Sequence, residues 1–257
     1  MPVQSLRQGP AAVKCGMAII LAIETSSELA SAALLHGNDV LVRDSSGVQT
    51  HSQTLLPMVQ SLLAQAGIAL AQCDAIAYGA GPGSFTGVRT ACGIAQGLAF
   101  GAGLPVVPIV TLLAMAEACR AATGASDVLA VMDARMGEVY WAQYRYADGW
   151  HPVVEPTLSA PSGVLPDTTA LDMADLAACG NGFFVYPSEF EAMVYARNAC
   201  AELMPHAAHI AALARSAFAA GQTVAASEAQ PIYLRNKIAL TTAERLARAA
   251  NIPKVAE

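Results

Sequence analysis

Three short apolar runs follow one another near the start of the chain and predict a meander of strands. Residues 18–25, 30–36 and 39–43 are rich in Ala, Val, Ile and Leu, and the turn residues Ser26–Glu28 and Gly37-Asn38 separate them. Runs of this length between turn-forming residues are typical of β-strands. We therefore expect three neighbouring strands that pair in sequence order.

The periodicity then changes to that of an amphipathic helix. Between residues 51 and 66 the apolar residues fall on one helical face and glutamines lie on the other. Apolar strands at 74–78 and 105–110 alternate with a glycine-rich helical segment at 86–100 and with a further amphipathic helix that begins at Thr111. This order predicts an α/β fold in which helices alternate with the later strands.

The second half of the chain begins the pattern again. Residues 128–133 form an apolar run that ends in Asp133, as residues 19–24 end in Glu24, and a further strand is predicted at 138–146. The recurrence of strand, acid, turn and strand at about half the chain length indicates an internal duplication. We expect two domains that face each other across a cleft.

The remaining residues give a weaker pattern. Four prolines predict that residues 151–170 consist of loops and short pieces. The other predicted elements are a strand at 176–181, a helix at 207–220, an extended segment at 231–235 and a last helix at 243–250.

A turn with three glycines joins the strand at 74–78 to the helix at 86–100, and its sequence is Gly79-Ala80-Gly81-Pro82-Gly83-Ser84. Glycine adopts positive φ angles and lets another backbone approach closely, and proline fixes its own φ. Ser84 or Thr86 is suited to cap the helix that follows. We predict a tight turn that is shaped for close contact.

Two sets of small residues recur every fourth position in this helix, Gly93, Gly97 and Gly101 together with Ala91, Ala95 and Ala99. An interior glycine destabilises a helix by roughly 1 kcal/mol relative to alanine, so a row of glycines indicates a face on which another group packs closely. We expect Gly93, Gly97 and Ala99 to form a helix-on-helix interface with a partner. Packing of this face inside its own domain is the alternative.

Arg89 lies in the first turn of this helix, where the helix dipole disfavours a cation. Its charge is therefore better explained by a carboxylate, a phosphate or an acid of a partner than by helix stability, and a solvated arginine without a role is the alternative. The predicted partner interface consists of Gly83, Ser84, Phe85, Thr86, Arg89, Gly93 and Gly97.

The composition is that of a folded protein that does not bind nucleic acid strongly by itself. The 257 residues are 54% hydrophobic, and they contain no run of about 18 uninterrupted apolar residues, the length that crosses a membrane. Only 13% of the residues are charged, and the net charge is −6. Nucleic-acid binding depends on Lys and Arg that neutralise phosphates, so a partner is expected to contact any RNA.

The cysteines and the N-terminal residues predict a cytoplasmic protein. The six cysteines are scattered and include no Cys-x-x-Cys pair, so we predict buried or neutral thiols in a reducing compartment rather than a zinc site or disulfides. The residues before Met17 lack the long apolar core of a secretory signal. Met17 directly precedes the first strand, and we predict that it is the functional start.

The sequence contains no recognisable catalytic or metal-binding motif. His51 has no second histidine three to five residues away, and His206 and His209 have no accompanying acid, so we predict exposed or capping histidines and no metal. The glycine turn lacks the Lys-Ser/Thr pair of a phosphate-binding loop, and Ser84 lacks the glycine pattern of a nucleophile elbow.

The segment GAGPGSFTGVR, with ILAIETSS before it and MDARMGEVYWAQY after it, closely resembles the TsaB (YeaZ) family, the partner subunit in bacterial synthesis of threonylcarbamoyladenosine in tRNA. The resemblance covers nearly everything from Met17 to about Ile238. It implies an actin-like (ASKHA) α/β fold of two ribonuclease-H-like domains that arose by duplication. The expected parts are a disordered extension at 1–16, a first domain at 17–110 and a second, degenerate domain at 111–257 whose last helix packs back on the first.

In actin-like ATPases, two acid-bearing hairpins hold metal and phosphates, and Glu24-Thr25-Ser26 and Asp133 occupy those places here. Neither acid is followed by a glycine, where the backbone would have to approach an anion, and Glu24 is longer than the aspartate usual in active members. We expect these residues to be a residual nucleotide-binding site at most. No cofactor is expected, apart from the option of a nucleotide at a surface shared with partners.

The resemblance implies a non-catalytic subunit that binds and orders TsaD, which transfers the threonylcarbamoyl group to the tRNA adenosine next to the anticodon. TsaE is expected to join the pair as an ATPase, and tRNA is reached only through the complex. A homodimer is an option when TsaD is absent. The alternative is that the chain is itself an active actin-like ATPase or carbamoyl transferase.

Overall fold

The computed structural model describes residues 18–45, 51–169 and 175–235. Three predictions lie outside these described residues: the disordered extension at 1–16, the start at Met17 and the last helix at 243–250. The elements within the described ranges form two mixed sheets with helices packed on their faces.

The first sheet has five strands in the order β3-β2-β1-β4-β5. Its strands are β1 (Ile19–Glu24), β2 (Ala30–His36), β3 (Asp39–Ser45), β4 (Ala75–Gly81) and β5 (Val106–Val110). The first three strands pair antiparallel as a meander. β4 pairs parallel with β1, and β5 pairs parallel with β4. The predicted meander and the ribonuclease-H-like order are thus confirmed.

Helices cover both faces of this sheet. They are α1 (His51–Ala66), α2 (Phe85–Ala102) and, from late in the chain, α6 (Ala207–Ala219). Because side chains alternate along a strand, Leu21 and Ile23 of β1 face α1 and α2, while Ile20 and Ala22 face α6. The helix predicted at 86–100 is longer by one residue at its start and two at its end, because Ser84 caps it and Gly103 ends it in the left-handed conformation.

The second sheet repeats the strand order of the first as β8-β7-β6-β9. Its strands are β6 (Asp127–Arg135), β7 (Glu138–Tyr146), β8 (Trp150–Ser159) and β9 (Ala177–Cys179). The first three pair antiparallel and β9 is parallel to β6, as β4 is to β1. Where the first sheet has β5, a single parallel bridge joins Cys179 to Cys200. The structure therefore confirms the predicted duplication, and the second copy is reduced.

In the described part of the chain, one long α-helix and two short ones lie around the second sheet. They are α3 (Thr111–Thr123), α4 (Gly182–Val185) and α5 (Pro187–Phe190). Met115 and Cys119 of α3 pack on one face of the sheet, and Phe183 and Phe190 pack on the other.

The prediction of loops and short pieces at 151–170 is wrong for its first part, since β8 continues through Pro152 and Pro156 to Ser159. A proline cannot donate a backbone hydrogen bond, and sheets accept it mainly on edge strands or at bulges. β8 is the edge strand of the second sheet, and its pairing with β7 contains two irregularities. The prolines therefore mark an edge and do not end the strand.

Residues 224–235 cross from the first sheet to the second, and we call them the C-terminal strap. Val224 pairs with Val106 at the edge of the first sheet. The Ala229 carbonyl then accepts a hydrogen bond of 2.9 Å from the side chain of Gln96 on α2, and the Ile232 amide donates to the Ala80 carbonyl at 2.7 Å. Residues distant in sequence thus complete the packing around the glycine turn.

The glycine turn packs against the segment that follows β1. A Cβ atom on Gly87 would lie 1.9 Å from the carbonyl oxygen of Thr25, and one on Gly83 would lie 2.6 Å from the carbonyl oxygen of Ser26. The Ser84 amide donates to the same Ser26 oxygen at 2.7 Å. The predicted close contact is therefore, in this turn, a contact within the chain.

Gly87→Ala should destabilise the protein by about 3 kcal/mol or more, because the added methyl group meets a backbone oxygen that cannot move away. Gly93→Ala in the same helix is the matched control. Nothing lies within 4 Å of its Cβ position, so it should stabilise the helix by up to about 1 kcal/mol. Urea unfolding of both variants tests the difference, and equal stabilities would contradict the packing described for Gly87.

Candidate functional site

A cleft of about 1020 Å³ separates the turn after β1 from the turn between β6 and β7. Its walls come from both sheets and from the C-terminal strap. Charged or polar residues on the walls include Ser26, Glu28, His51, Asp133, Arg135, Asn181, Glu202 and Arg235. Apolar residues include Leu29, Phe85, Met132, Met136, Phe184, Val185, Met204, Ile232 and Leu234. The cleft predicted from the duplication is therefore present, and its lining is mixed.

Of the predicted nucleotide-site residues, Ser26 and Asp133 line this cleft. The Ser26 hydroxyl is buried and has no hydrogen-bond partner among the described residues. The Asp133 side chain, 3% exposed, accepts hydrogen bonds of 2.9 Å from the Tyr186 hydroxyl and from the Arg135 amide. The second acid is thus already occupied by groups of its own chain.

Glu24 and Thr25, the other two predicted residues, are completely buried and do not line the cleft. One carboxylate oxygen of Glu24 accepts a hydrogen bond from the Ser26 amide, and the other lies against Gly79 without a partner in the described part of the chain. The Thr25 hydroxyl donates to the Gly87 carbonyl at 2.7 Å. The structure therefore separates the four residues into one inward-facing pair, Glu24 and Thr25, and one pair that lines the cleft, Ser26 and Asp133.

Burial raises the pKa of the Glu24 carboxyl from 4.5 to about 7, although hydrogen bonds from Ser26 and Thr25 act in the opposite direction. A carboxylate removed from water without a cation nearby favours its neutral form. Glu24 is thus close to half-protonated at neutral pH.

Two arginines meet at the cleft, Arg135 from the turn between β6 and β7 and Arg235 from the C-terminal strap. Arg135, Met136 and Gly137 all have positive φ angles, which only glycine adopts readily. Arg135 forms ion pairs with Asp133 and, across the cleft, with Glu28. Arg235 of the C-terminal strap pairs with Glu138 and donates a hydrogen bond to the Arg135 carbonyl. One exposed ion pair, Arg135–Glu28, thus spans the cleft, and the other charged contacts lie on its second-sheet side.

Arg89 lies at the rim of the cleft against two aromatic rings. Its guanidinium carbon is 3.6 Å from the centre of the Phe85 ring, and its Nε donates to the Tyr233 hydroxyl at 2.7 Å. Tyr233 is a site residue that the sequence reasoning missed, although residues 231–235 were predicted to be extended. Within the described residues Arg89 has no acidic partner, so its ring contacts orient a guanidinium that remains exposed.

The outer face of α2 is flat and open. Nothing lies within 4 Å of the Cβ positions of Gly93, Gly97 and Gly101, and the neighbouring Phe100 is 81% exposed. The prediction that Ala99 belongs to this face is wrong, because Ala99 is fully buried against the first sheet. The two sets of small residues therefore serve opposite sides of the helix, alanines inward and glycines outward.

The remaining predicted residues lie near the start of α2 or in helix caps. Gly83, Ser84 and Phe85 line the cleft, and the exposed Thr86 lies one residue further along α2. His206 caps α6, since its Nδ1 accepts a hydrogen bond of 3.2 Å from the Ala208 amide.

The described residues contain no group of three or more His, Cys, Asp or Glu side chains arranged to hold a metal ion. None of the described helices is long and apolar enough to cross a membrane.

The raised pKa of Glu24 predicts a pH dependence of stability. Between pH 4.5 and about 7 the folded protein keeps a proton that the unfolded chain releases, so stability should fall as the pH rises through this window. Glu24→Gln cannot titrate and should remove this dependence. The free energy of unfolding of the variant should gain roughly 3 kcal/mol on the wild type between pH 4 and pH 8. Urea titrations at several pH values test this, and parallel profiles would contradict it.

Comparisons with known proteins agree with this fold. The family model for TsaD, tRNA N6-adenosine threonylcarbamoyltransferase, matches residues 42–239. The tRNA threonylcarbamoyladenosine biosynthesis protein TsaB of Escherichia coli (strain K12) is 40% identical over 222 residues, which are 86% of this chain and 96% of that protein. TsaB of Haemophilus influenzae is 38% identical over 228 residues, covering 85% and 94% of the two chains.

A solved structure is equally similar. YeaZ from Pseudomonas aeruginosa is 40% identical, with a TM-score of 0.78, over 85% of this chain and all of that chain. The chain therefore shares ancestry with the family of the transferase TsaD. Its likeness to TsaB proteins extends over nearly their whole length. The chain belongs to the TsaB (YeaZ) family, and its two related sheets form the actin-like fold expected of that family.

Proposed function

We propose that this chain is a non-catalytic assembly subunit in tRNA threonylcarbamoyladenosine synthesis. In this role it binds and orders TsaD, which transfers the threonylcarbamoyl group to the tRNA adenosine next to the anticodon. The names of its relatives support the pathway. The open outer face of α2 is the observation that supports binding of a partner.

The outer face of α2 is suited to a close helix contact. Interior glycines reduce helix stability and would be a disadvantage on a face that only meets water. A partner helix could approach the backbone at Gly93 and Gly97 and cover the ring of Phe100, which is 81% exposed. Burial of such a ring is a typical anchor of a protein interface.

The rim of the cleft provides the polar part of the proposed interface. Phe85 and Tyr233 hold the Arg89 guanidinium in place. Its Nη groups, which have no hydrogen-bond partner among the described residues, can meet a partner's carboxylate without losing much side-chain freedom. Arginine and aromatic residues are enriched at such positions in interfaces. The proposed interface thus joins an apolar helix face to an oriented cation.

The two acid-bearing turns support a subunit without its own catalysis. Glu24 is buried against Gly79, and Asp133 is occupied by Tyr186 and Arg135, so neither carboxylate is free to hold a phosphate-bound metal. Neither acid is followed by a glycine. These features support assembly over the alternative of an active ATPase or carbamoyl transferase.

The proposal includes the wider complex. TsaE would join this chain and TsaD in the cytoplasm, and a nucleotide could sit at the surface they share. A chain with a net charge of −6 leaves most tRNA contacts to its partners. Without TsaD, the same face of α2 could pair two copies of this chain.

Gly97→Leu should weaken binding to TsaD by about ten- to a hundredfold, because a large side chain in a close-packed contact costs about 1–3 kcal/mol and about 1.4 kcal/mol is tenfold in affinity. The folded monomer should keep its melting temperature or gain slightly, since the site is open and leucine favours helix more than glycine. Titration calorimetry and thermal melts on the same samples measure both effects.

Ala121→Leu on the exposed end of α3 is the matched control, since it adds a comparable bulk to a helix away from this face. It should bind TsaD normally. Arg89→Glu should weaken binding most strongly at low salt. If Gly97→Leu and Arg89→Glu both fold and both bind TsaD with unchanged affinity, the interface lies elsewhere.

The isolated chain should neither transfer threonylcarbamoyl groups nor hydrolyse ATP over multiple turnovers, because its two acids are unavailable to a nucleotide. A coupled ATPase assay on the purified chain measures this. Turnover that disappears in Glu24→Ala or Asp133→Ala would contradict the proposed non-catalytic role.

A further inference from the structure

Three of the cysteines form a cluster beneath α3. Cys119 on α3 and Cys179 on β9 are fully buried in one core cluster, and Cys200 packs against it from a partly exposed position. The other described cysteines, Cys73 and Cys92, belong to a different cluster under the first sheet. A widely spaced set of cysteines in the sequence is therefore brought together by the fold.

The backbone fixes the position of Cys200 within this cluster. Cys179 and Cys200 are directly paired in a parallel bridge, in which the Cys200 amide donates to the Ala178 carbonyl at 2.9 Å and the Gly180 amide donates to the Cys200 carbonyl at 3.1 Å. Both side chains contact the core cluster that contains Cys119. Three thiols thus meet where α3 crosses the end of the second sheet.

The three thiols differ in charge and access. A hydrogen bond from the Cys179 thiol lowers the pKa of Cys119, and a further hydrogen bond from Cys200 acts in the same direction. Burial raises the pKa of Cys200, with the neighbouring Cys119 adding to the effect. Cys119 is thus in hydrogen-bond contact with both of the other thiols, whereas Cys200 is the member that solvent reaches.

We propose that Cys200 and Cys119 are a modification site that forms a reversible disulfide with low-molecular-weight disulfides such as oxidised glutathione. In the first step the Cys200 thiolate attacks one sulfur of the reagent, forming a mixed disulfide and releasing one glutathione thiolate. In the second step the Cys119 thiolate attacks the Cys200 sulfur and expels the second glutathione. The two protein thiols lose two electrons and two protons, and the reagent becomes two glutathione thiols.

The access and the chemistry of the two residues set this order. Of these three cysteines only Cys200 is partly exposed, so a bulky disulfide reaches Cys200 first. Cys119, in hydrogen-bond contact with Cys200, is then placed to attack the mixed disulfide. The next residues along the chain, Ala201 and Glu202, line the cleft. Linking Cys200 to α3 would therefore move or fix one wall of the cleft.

Incubation of the folded full chain with oxidised glutathione, followed by acid quench, alkylation and peptide mass mapping, tests the proposal. A peptide pair linked through Cys119 and Cys200 is expected, and dithiothreitol should remove the link. In Cys119→Ser, glutathione should remain attached to Cys200. In Cys200→Ser, modification of Cys119 should fall at least about tenfold, whereas Cys92→Ser should form the link as the wild type does.

Three results would overturn the proposal: a stable glutathione adduct on Cys200 in the wild type, a link between Cys179 and Cys200, or full recovery of free thiols. Circular dichroism and thermal melts establish that each variant is folded before it is compared. Since Cys119 is a core residue, Cys119→Ala serves as a second variant if the serine substitution does not fold.

Discussion

The close approach of two backbone segments, the turn after β1 and the glycine turn before α2, is the constraint on which the rest of the structure depends. The oxygen of Thr25 lies where a side chain at Gly87 would begin, and the oxygen of Ser26 receives the Ser84 amide. This contact encloses Glu24 and fixes the start of α2 at the cleft. The outer face of α2, with Gly93, Gly97 and Gly101, then points away from the sheet.

The two halves of the chain show how a duplicated plan has diverged. The first sheet has helices over both faces and five strands, whereas the second has short helices on one face and only a bridge at Cys200 in the fifth position. The C-terminal strap links the two, from Val106 at the edge of the first sheet to Glu138 at the start of β7. The cleft is therefore bounded by contacts between residues far apart in sequence.

Much of the fold could be predicted from local pattern, because buried strands between turn residues and helices with one apolar face are encoded within a few positions of each other. The face of the helix on which a small residue lies could not be predicted this way. Glycine and alanine look alike in a periodic pattern, and only the sheet beneath α2 shows that Ala99 faces inward while Gly97 faces outward. Similarly, the prolines of β8 suggested loops because edge position is a property of the whole sheet.

The candidate site was harder to predict because its parts meet only in the folded chain. The acid at Glu24 was found from its motif, but its burial depends on Gly79, which leaves room for the carboxylate. Tyr233 reaches Arg89 across 144 positions of sequence, and no local signal marks that contact.

The C-terminal strap also has a consequence for synthesis on the ribosome. α6 covers one face of the first sheet, and the strap supplies Tyr233, the aromatic partner of Arg89. Both segments lie in the last quarter of the chain. The N-terminal half therefore emerges before the α6 residues that cover one face of its sheet. A prematurely terminated product would expose that face to chaperones and proteases, and its arginine would lack Tyr233. The surface proposed to meet a partner is therefore complete only after Tyr233 has been synthesised.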